Sequence, residues 1–203
     1  MQHCMVGKQV PTWVISDTHF HHNKMVKYCG RPEDFTAQLI KNWTTCVGET
    51  DLVFHLGDVG FYKKNDCGTL LEKLPGNKIL IRDNHDRHPI KFYLDHGFMA
   101  VMDTAVVHVC YSQGGRHPRN HYYRVILSHS PVAIPEGVDF NLHGHFHNNN
   151  SYHWEEELVK TLTPKHRLLS VEELGYKPVP LGWTLHHEQF INSYERAKEV
   201  RNG

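Results

Sequence analysis

Residues Thr12-Trp13-Val14-Ile15-Ser16-Asp17-Thr18-His19 combine an apolar run with two potential metal ligands. The run is rich in β-branched and aromatic side chains, which is typical of a buried strand. Directly after it, Asp17 and His19 are two positions apart, so that both side chains point to the same side of an extended segment. The stretch therefore predicts a buried strand with a carboxylate and an imidazole at its carboxyl end.

Four more apolar runs end in the same kind of polar turn. They are residues 52–56 before Gly57-Asp58, residues 78–82 before Asp83-Asn84-His85-Asp86, residues 125–128 before His129, and residues 140–143 before Gly144-His145-Phe146-His147. Their length and their content of Val, Ile, Leu and Phe favour buried strands. Because side chains just past the carboxyl ends of strands converge on one crevice in an open α/β sheet, we expect these turns to meet in one site.

Helical patterns lie between and after the predicted strands. One apolar stripe recurs every four residues: Phe35, Leu39, Trp43 and Val47. A shorter helix is predicted around residues 70–74, and another in the tail, where apolar residues recur at helical spacing from residue 190 to residue 197. Strands alternating with helices imply a layered α/β fold. Since no repeat or linker interrupts the pattern, we expect a single domain over residues 1–203.

Composition limits the classes of function. Lys plus Arg and Asp plus Glu both number 22, so no net charge draws the chain toward nucleic acid or an anionic membrane. The 5 cysteines never form a Cys-x-x-Cys pair, which argues against a disulfide framework and against a thiolate zinc site. Residues 1–11 do not resemble a signal peptide, and no later stretch is apolar enough to span a bilayer. We therefore expect a cytoplasmic protein.

Histidine is the unusual residue of this composition, at 19 of 203. Imidazoles and carboxylate oxygens suit Mn, Fe, Zn or Ni, and they do not suit copper(I) or iron–sulfur clusters. Most of these histidines are expected on the surface, so only spacing separates potential ligands from the rest. In His145-x-His147, the two imidazoles can bind one ion, or one each of two adjacent ions.

The order of the polar turns resembles that of the calcineurin-like dinuclear metallophosphoesterases, in particular their small bacterial and phage members. The signature of that family is D-x-H, then G-D, then G-N-H-D/E, then H, then G-H-x-H. The matching positions here are Asp17/His19, Gly57/Asp58, Asn84/His85/Asp86, His129 and Gly144/His145/His147. Residues 168–179 also resemble the segment after G-H-x-H in the small members. The resemblance implies a layered β-sandwich core flanked by helices, and hydrolysis of phosphate esters.

The resemblance also implies a role for each matched residue. One metal would be held by Asp17, His19 and His147, a second by Asn84, His129 and His145, and Asp58 would bridge the two ions. Two ions about 3.5–4 Å apart clamp the attacking and leaving oxygens and acidify a bridging water, which as hydroxide would be the nucleophile. Mn²⁺ is the first candidate for both ions, with Fe, Zn or Ni as alternatives.

His85 is expected to be the general acid of such a site. It follows ligand Asn84 and would protonate the leaving-group oxygen, while Asp86 would set its tautomer and raise its pKa. Three residues are weaker candidates for substrate contacts, each with a solvated surface position as the favoured alternative. They are His22, after the first motif, and Arg116 and Arg119, in a loop predicted at residues 112–120 where they could grip a phosphate.

One position departs from the family pattern. Asp83 stands where the family has glycine before Asn-His. Glycine would fit a turn with positive φ, and Asp tolerates that conformation better than most residues. A carboxylate at this position would either lower the charge of the cluster or contact a metal.

The sequence leaves three functions open. The first is hydrolysis of a phosphodiester or phosphomonoester, with a small nucleotide-like substrate and no stable binding to nucleic acid or membrane. The second is a metal-dependent nuclease, which neutral net charge and the lack of a basic stripe disfavour. The third is a non-catalytic metal-binding scaffold whose activity Asp83 impairs. The complete set of ligand positions, together with His85, argues against the scaffold.

Overall fold

Two β-sheets form the framework of the chain in the computed structural model, which describes residues 10–60, 64–83, 85–113, 119–148 and 156–186. The first sheet has five strands, in the spatial order β4 (Phe98–Met102), β3 (Asn77–Ile81), β2 (Leu52–His55), β1 (Thr12–Ile15) and β9 (Val179–Pro180). Strands β1 to β4 are parallel, and β9 pairs antiparallel with β1. The four parallel strands therefore end at the same edge of this sheet.

The second sheet contains the later strands of the chain. Its spatial order is β5 (Ala105–Gln113), β6 (Arg119–Leu127), β7 (Phe140–His143) and β8 (His166–Leu168). Strands β5 and β6 are antiparallel, whereas β6, β7 and β8 are parallel. The turns that follow β6 and β7 consequently leave this sheet at the same edge.

Short helices flank the two sheets. They are α1 (Lys24–Cys29), α2 (Phe35–Cys46), α3 (Lys64–Lys73), α4 (Ile90–Asp95), α5 (Glu156–Thr161) and α6 (Val171–Leu174), followed by a 3₁₀ helix at Leu181–Leu185. The stripe predicted on α2 is buried, and the Trp43 indole N–H donates to Pro75 O at 3.0 Å. Helix α3 is longer than the predicted residues 70–74. The helix predicted for residues 190–197 lies outside the described residues.

One hydrophobic core joins the two sheets. Val14 and Leu80 of the first sheet and Val125 and Leu142 of the second are all fully buried members of the same cluster. The predicted α/β class is confirmed, with mixed sheets and flanking helices. Within the described residues, no helix has the length and apolar character needed to cross a membrane.

Candidate metal centre

The turns after β1, β2 and β7 share an unusual backbone conformation. Five residues of the predicted ligand set have positive φ angles: Asp17 (57°), His19 (43°), Asp58 (54°), His145 (74°) and His147 (48°). The sequence predicted extended backbone at Asp17-x-His19 and at His145-x-His147. That prediction was wrong, because these residues lie in left-handed turns, which set the directions of the side chains. Such residues cost about 1–3 kcal/mol each and persist where the surrounding structure holds them, often at functional sites.

Backbone hydrogen bonds join the first two turns and continue the pairing of β1 with β2. The Asp17 N–H donates to Gly57 O at 3.1 Å, and the His19 N–H donates to Asp58 O at 2.9 Å. These bonds stabilise the left-handed residues on both turns. The side chains of Asp17, His19 and Asp58 thus leave neighbouring points of one paired segment.

The turn after β7 packs against the first turn through Gly144. A Cβ atom on Gly144 would overlap with Ser16 Oγ and with the Asp17 carboxylate, so the approach requires glycine. The His145 N–H donates to the Asp17 carboxylate, at 3.1 Å from Oδ1 and 3.2 Å from Oδ2. This contact brings ligands from the second sheet next to those from the first.

Four expected ligands form one cluster that could hold a metal ion: Asp17, His19, Asp58 and His147. Each offers a ligand atom within 4.8 Å of the other three. His19 Nε2 lies 3.1 Å from Asp58 Oδ2 and 3.3 Å from His147 Nε2. Two carboxylates and two imidazoles are a donor set that suits Mn, Fe, Zn or Ni.

A second group of expected ligands lies around His129. His129 Nε2 is 3.3 Å from His145 Nδ1 and 3.8 Å from Asp58 Oδ2. His129 Nδ1 donates to Leu56 O at 2.6 Å, which leaves the lone pair on Nε2 for a cation. Asn84, the remaining expected ligand, lies outside the described residues.

One carboxylate oxygen of Asp58 has no hydrogen-bond partner among the described residues. The residue is 6% exposed, and its Oδ1 accepts no hydrogen bond from any described residue. Burial alone would raise the pKa of the Asp58 carboxyl, but the hydrogen bond from His19 and the charges of His19, His129 and His85 hold that pKa below its usual range. A buried, ionised oxygen without a partner is unfavourable unless a cation binds it, so the residues present fit bound cations.

Asp86 has a different role from the one expected. Its Oδ2 accepts hydrogen bonds from the N–H groups of Asp58 (3.0 Å) and Asp83 (3.1 Å), and its Oδ1 accepts one from Val59 (3.0 Å). The carboxylate therefore ties two turns together and does not set the tautomer of His85. The carboxylate beside that histidine is Asp83, whose Oδ2 lies 3.1 Å from His85 Nδ1.

Arg31 and Glu172, which the sequence analysis did not single out, contact the turns that carry the expected ligands. Arg31 is 2% exposed and donates to the carbonyl oxygens of Asp17 and Thr18, at 2.8 and 2.9 Å. The same guanidinium forms an ion pair with Glu172 at 2.7 Å, and Glu172 lies 3.2 Å from His147 Nδ1. One buried network thus connects the first turn to the last. The sequence provides one indication of this network: Glu172 lies within residues 168–179, which resemble the segment after G-H-x-H in the small calcineurin-like proteins.

Charges within this network reinforce each other. Burial would raise the pKa of Glu172, but the hydrogen bond and charge of His147, together with Arg31, hold it at about 2. Burial would lower the pKa of His147, but Asp17, a hydrogen bond with Cys29 and Glu172 raise it well above its ordinary value. Glu172 is therefore a carboxylate that orients His147 through Nδ1 and leaves Nε2 toward the cluster.

The weaker candidates for substrate contact have different positions. The His22 ring centroid is 5.5 Å from that of His19, and burial with the nearby charges of His19 and Lys24 lowers the pKa of His22 to about 4. Arg116 lies outside the described residues. Arg119 begins β6, whereas His129 follows the end of that strand, which puts their Cα atoms about 30 Å apart. The structure therefore brings His22 to the cluster and does not bring Arg119 there.

Two further histidines are buried beneath the turns. His55 is 1% exposed and donates from Nε2 to Thr18 Oγ1 at 2.9 Å, because that hydroxyl itself donates to Val59 O. His143 is fully buried and donates from Nδ1 to Gly144 O at 2.9 Å. Burial is the main cause that lowers the pKa of each histidine to about 3. Both are consequently neutral in the folded protein near neutral pH.

Known proteins resemble this chain to different degrees. No family model matches the chain. An uncharacterized protein of Methanocaldococcus jannaschii is 32% identical in an alignment of 200 positions, which covers 93% of this chain and 94% of that protein. The solved structure of a protein of unknown function from Aquifex aeolicus superimposes with a TM-score of 0.59 and 25% identity, over 84% of this chain and 95% of that chain. A Streptococcus pneumoniae protein described as a predicted phosphoesterase gives a TM-score of only 0.33 over 68% of this chain.

The first prediction concerns the buried ion pair. Glu172→Gln keeps the shape of the side chain but leaves Arg31 buried without its anionic partner. We expect the metal-free protein to lose about 3 kcal/mol of unfolding free energy, measured by urea denaturation. The matched control is Glu157→Gln, since the exposed pair of Glu157 with Lys160 should contribute almost nothing. Equal effects of the two substitutions would contradict a structural role for the buried pair.

The second prediction concerns acid stability. The unfolded chain binds protons at His55 and His143 below pH about 6.5, whereas the folded chain does so only near pH 3, so stability is lost as pH falls through this window. At pH 5 each histidine should cost about 2 kcal/mol relative to pH 7. His55→Gln keeps the donor to Thr18 and should reduce the loss, whereas His108→Gln at an exposed position should not. Unfolding free energies with the same pH dependence in the parent and His55→Gln would show that His55 is not buried in the neutral form.

Proposed function

The chain belongs to the same family as the uncharacterized Methanocaldococcus jannaschii protein, and we propose that it is a dinuclear metal-dependent phosphoesterase of the calcineurin-like type. The observation that carries the proposal is the placement of Asp58 between two groups of ligands. Asp58 shares one cluster with Asp17, His19 and His147. Its Oδ2 also lies 3.8 Å from His129 Nε2, which in turn lies 3.3 Å from His145 Nδ1. The paired sheets and the order of the motifs support the same family.

The ligand assignment follows from this placement. Asp17, His19 and His147 would hold one ion, His129 and His145 a second together with Asn84, and Asp58 would contact both. When bound, two divalent ions would supply positive charge and Lewis acidity for the phosphoryl group. The buried side chains of Arg31, Glu172 and Asp86 keep the ligand turns fixed before substrate arrives.

His85 is the residue that we assign as general acid. Its side chain is 41% exposed, so a substrate can reach it, and its Nδ1 lies 3.1 Å from Asp83 Oδ2. If Nδ1 donates to that carboxylate, Nε2 is the nitrogen that exchanges a proton with a leaving-group oxygen. Asp83 therefore takes the orienting role that the sequence suggested for Asp86.

We further propose that the substrate is a small nucleotide-like phosphate ester and that Mn²⁺ is the first candidate for the bound metal. Support for a small substrate comes from the balanced charge of the chain, which offers no general attraction for a polyanion. Support for Mn²⁺ comes from the mixture of carboxylates and imidazoles. A panel of mononucleotides, cyclic nucleotides and aryl phosphates, assayed with Mn²⁺, Zn²⁺, Fe²⁺ and Ni²⁺, would test both points.

The third prediction addresses the bridging carboxylate. Asp58→Asn keeps the size of the side chain but removes the charge between the two ligand groups. We expect less Mn²⁺ per chain by elemental analysis and no measurable hydrolysis of bis(p-nitrophenyl) phosphate, with the fold retained. Asp95→Asn, which removes a carboxylate from a surface pair with Lys91, should change neither quantity. Unchanged metal content in Asp58→Asn would remove Asp58 from the metal site.

The fourth prediction separates acid catalysis from metal binding. His85→Ala should keep the parent's metal content yet slow the hydrolysis of alkyl esters, which have poor leaving groups, by about 10²–10⁴-fold. The loss should be smaller for p-nitrophenyl esters, because their leaving oxygen needs less protonation. His108→Ala serves as the control at an exposed histidine. Losses of the same size for both kinds of ester would contradict the role of His85 as acid.

A further inference from the structure

Asp83 brings a carboxylate to the ligand cluster at a position where the calcineurin-like pattern has glycine. Its side chain is 13% exposed, and Oδ2 lies 3.7 Å from His129 Nε2 and 3.1 Å from His85 Nδ1. Asp83 is not among the described residues with positive φ, so the backbone of this turn does not require glycine. The effect of Asp83 on the site must therefore come from its side chain.

The buried oxygen of Asp58 faces the same place. Asp58, Asp83 and His85 each offer a ligand atom within 4.8 Å of the other two. Asp58 Oδ1 is the atom that accepts no hydrogen bond from a described residue, and it lies 3.7 Å from His85 Nδ1. Two carboxylates at this separation repel each other in a partly buried site unless a positive charge lies between them.

We propose that Asp83 is a metal ligand, which adds a second carboxylate to the cation position formed by Asp58 and His129. The inference rests on the proposed function, because it assumes a cation on the His129 side of Asp58. Asp83 also accepts a hydrogen bond from the His85 N–H at 3.2 Å. Its two oxygens have enough lone pairs to bind a cation and to keep these contacts with His85. Asp83 thus links the metal position to the proposed acid.

A second carboxylate changes which cations and which substrates the site favours. Carboxylate oxygens suit Mn²⁺ and Mg²⁺ better than they suit Zn²⁺. With two divalent ions bound, the site carries one positive charge fewer than the same site with glycine at position 83. A phosphodiester is a monoanion, whereas a phosphomonoester is largely a dianion at neutral pH, so the lost charge weakens the attraction for a monoester more. Asp83 therefore favours phosphodiesters.

Calorimetric titration of metal-free protein with Mn²⁺ tests the assignment directly. In the parent we expect two sites. Asp83→Asn and Asp83→Gly should lower the affinity of one site by about 10–100-fold and leave the other site unchanged. Asp95→Asn removes the same charge at the surface and should match the parent. Far-UV circular dichroism of both Asp83 variants checks that they remain folded.

Substrate preference provides the second readout. At saturating Mn²⁺, the ratio of kcat/KM for p-nitrophenyl phosphate to that for bis(p-nitrophenyl) phosphate should rise at least about tenfold in Asp83→Asn. An unchanged ratio would overturn the preference for diesters that we assign to Asp83. This comparison uses one leaving group for both esters, so the proton supplied by His85 affects both in the same way.

The outcomes distinguish this inference from the proposed function. Asp83 variants that bind Mn²⁺ as the parent does would overturn the ligand assignment and leave a dinuclear phosphoesterase intact. Weaker binding in Asp83→Gly alone would show that a neutral oxygen suffices, which overturns the role of charge. A parent that binds fewer than two Mn²⁺ ions would overturn the proposed function and this inference with it.

Discussion

The close contact between the turn after β7 and the turn after β1 controls the geometry of the whole site. Gly144 allows it because a side chain there would overlap with Ser16 and Asp17. The Asp17 carboxylate then receives the N–H of His145, which fixes the separation of the two sheets at their ligand-bearing edges. Expected ligands from each sheet meet only because this contact forms. The cluster is therefore a property of the packed core and not of any one turn.

Left-handed turns at the strand ends need support, and buried polar groups supply it. Asp86 holds the turns that carry Asp58 and Asp83, and Arg31 holds the turn that carries Asp17. Each of these charges would be unfavourable in the interior by itself. Each is stabilised because it forms hydrogen bonds with backbone groups of these turns. Strain and charge burial are both unfavourable, and these hydrogen bonds stabilise the folded state against both.

The sequence predicted the parts of the fold that depend on local patterns. The apolar runs at residues 12–16 and 52–56 became β1 and β2, and the stripe on α2 is buried, because burial imposes a period on the side chains. Helices α1 and α6 were missed, since elements of six and four residues are too short to show a period. The roles of Arg31, Glu172 and Asp86 depend on tertiary hydrogen bonds. Such contacts produce no regular pattern of residues in the sequence.

The positions of Arg119 and Asp86 both depend on the course of the backbone. Arg119 was a weak candidate for gripping a phosphate, with a solvated position favoured, and it lies at the end of β6 opposite His129. Asp86 seemed to orient His85 because the two are adjacent in sequence, yet its carboxylate points to the backbone of Asp58 and Val59. In both cases the direction of the backbone decided the contact. Adjacency in the sequence therefore does not show which side chains are in contact in the fold.

Protons and cations compete for the space between the carboxylates of this site. Burial opposes the charged form of His129, but Asp17, Asp58 and Asp83 together raise its pKa, and Asp17 with Glu172 does the same for His147. Without a metal, these carboxylates favour the protonated form of both imidazoles. A metal ligand must be deprotonated, so a bound cation replaces those protons and does not simply add to them. The network that stabilises the cluster is thus arranged around a positive charge, which a metal would also supply.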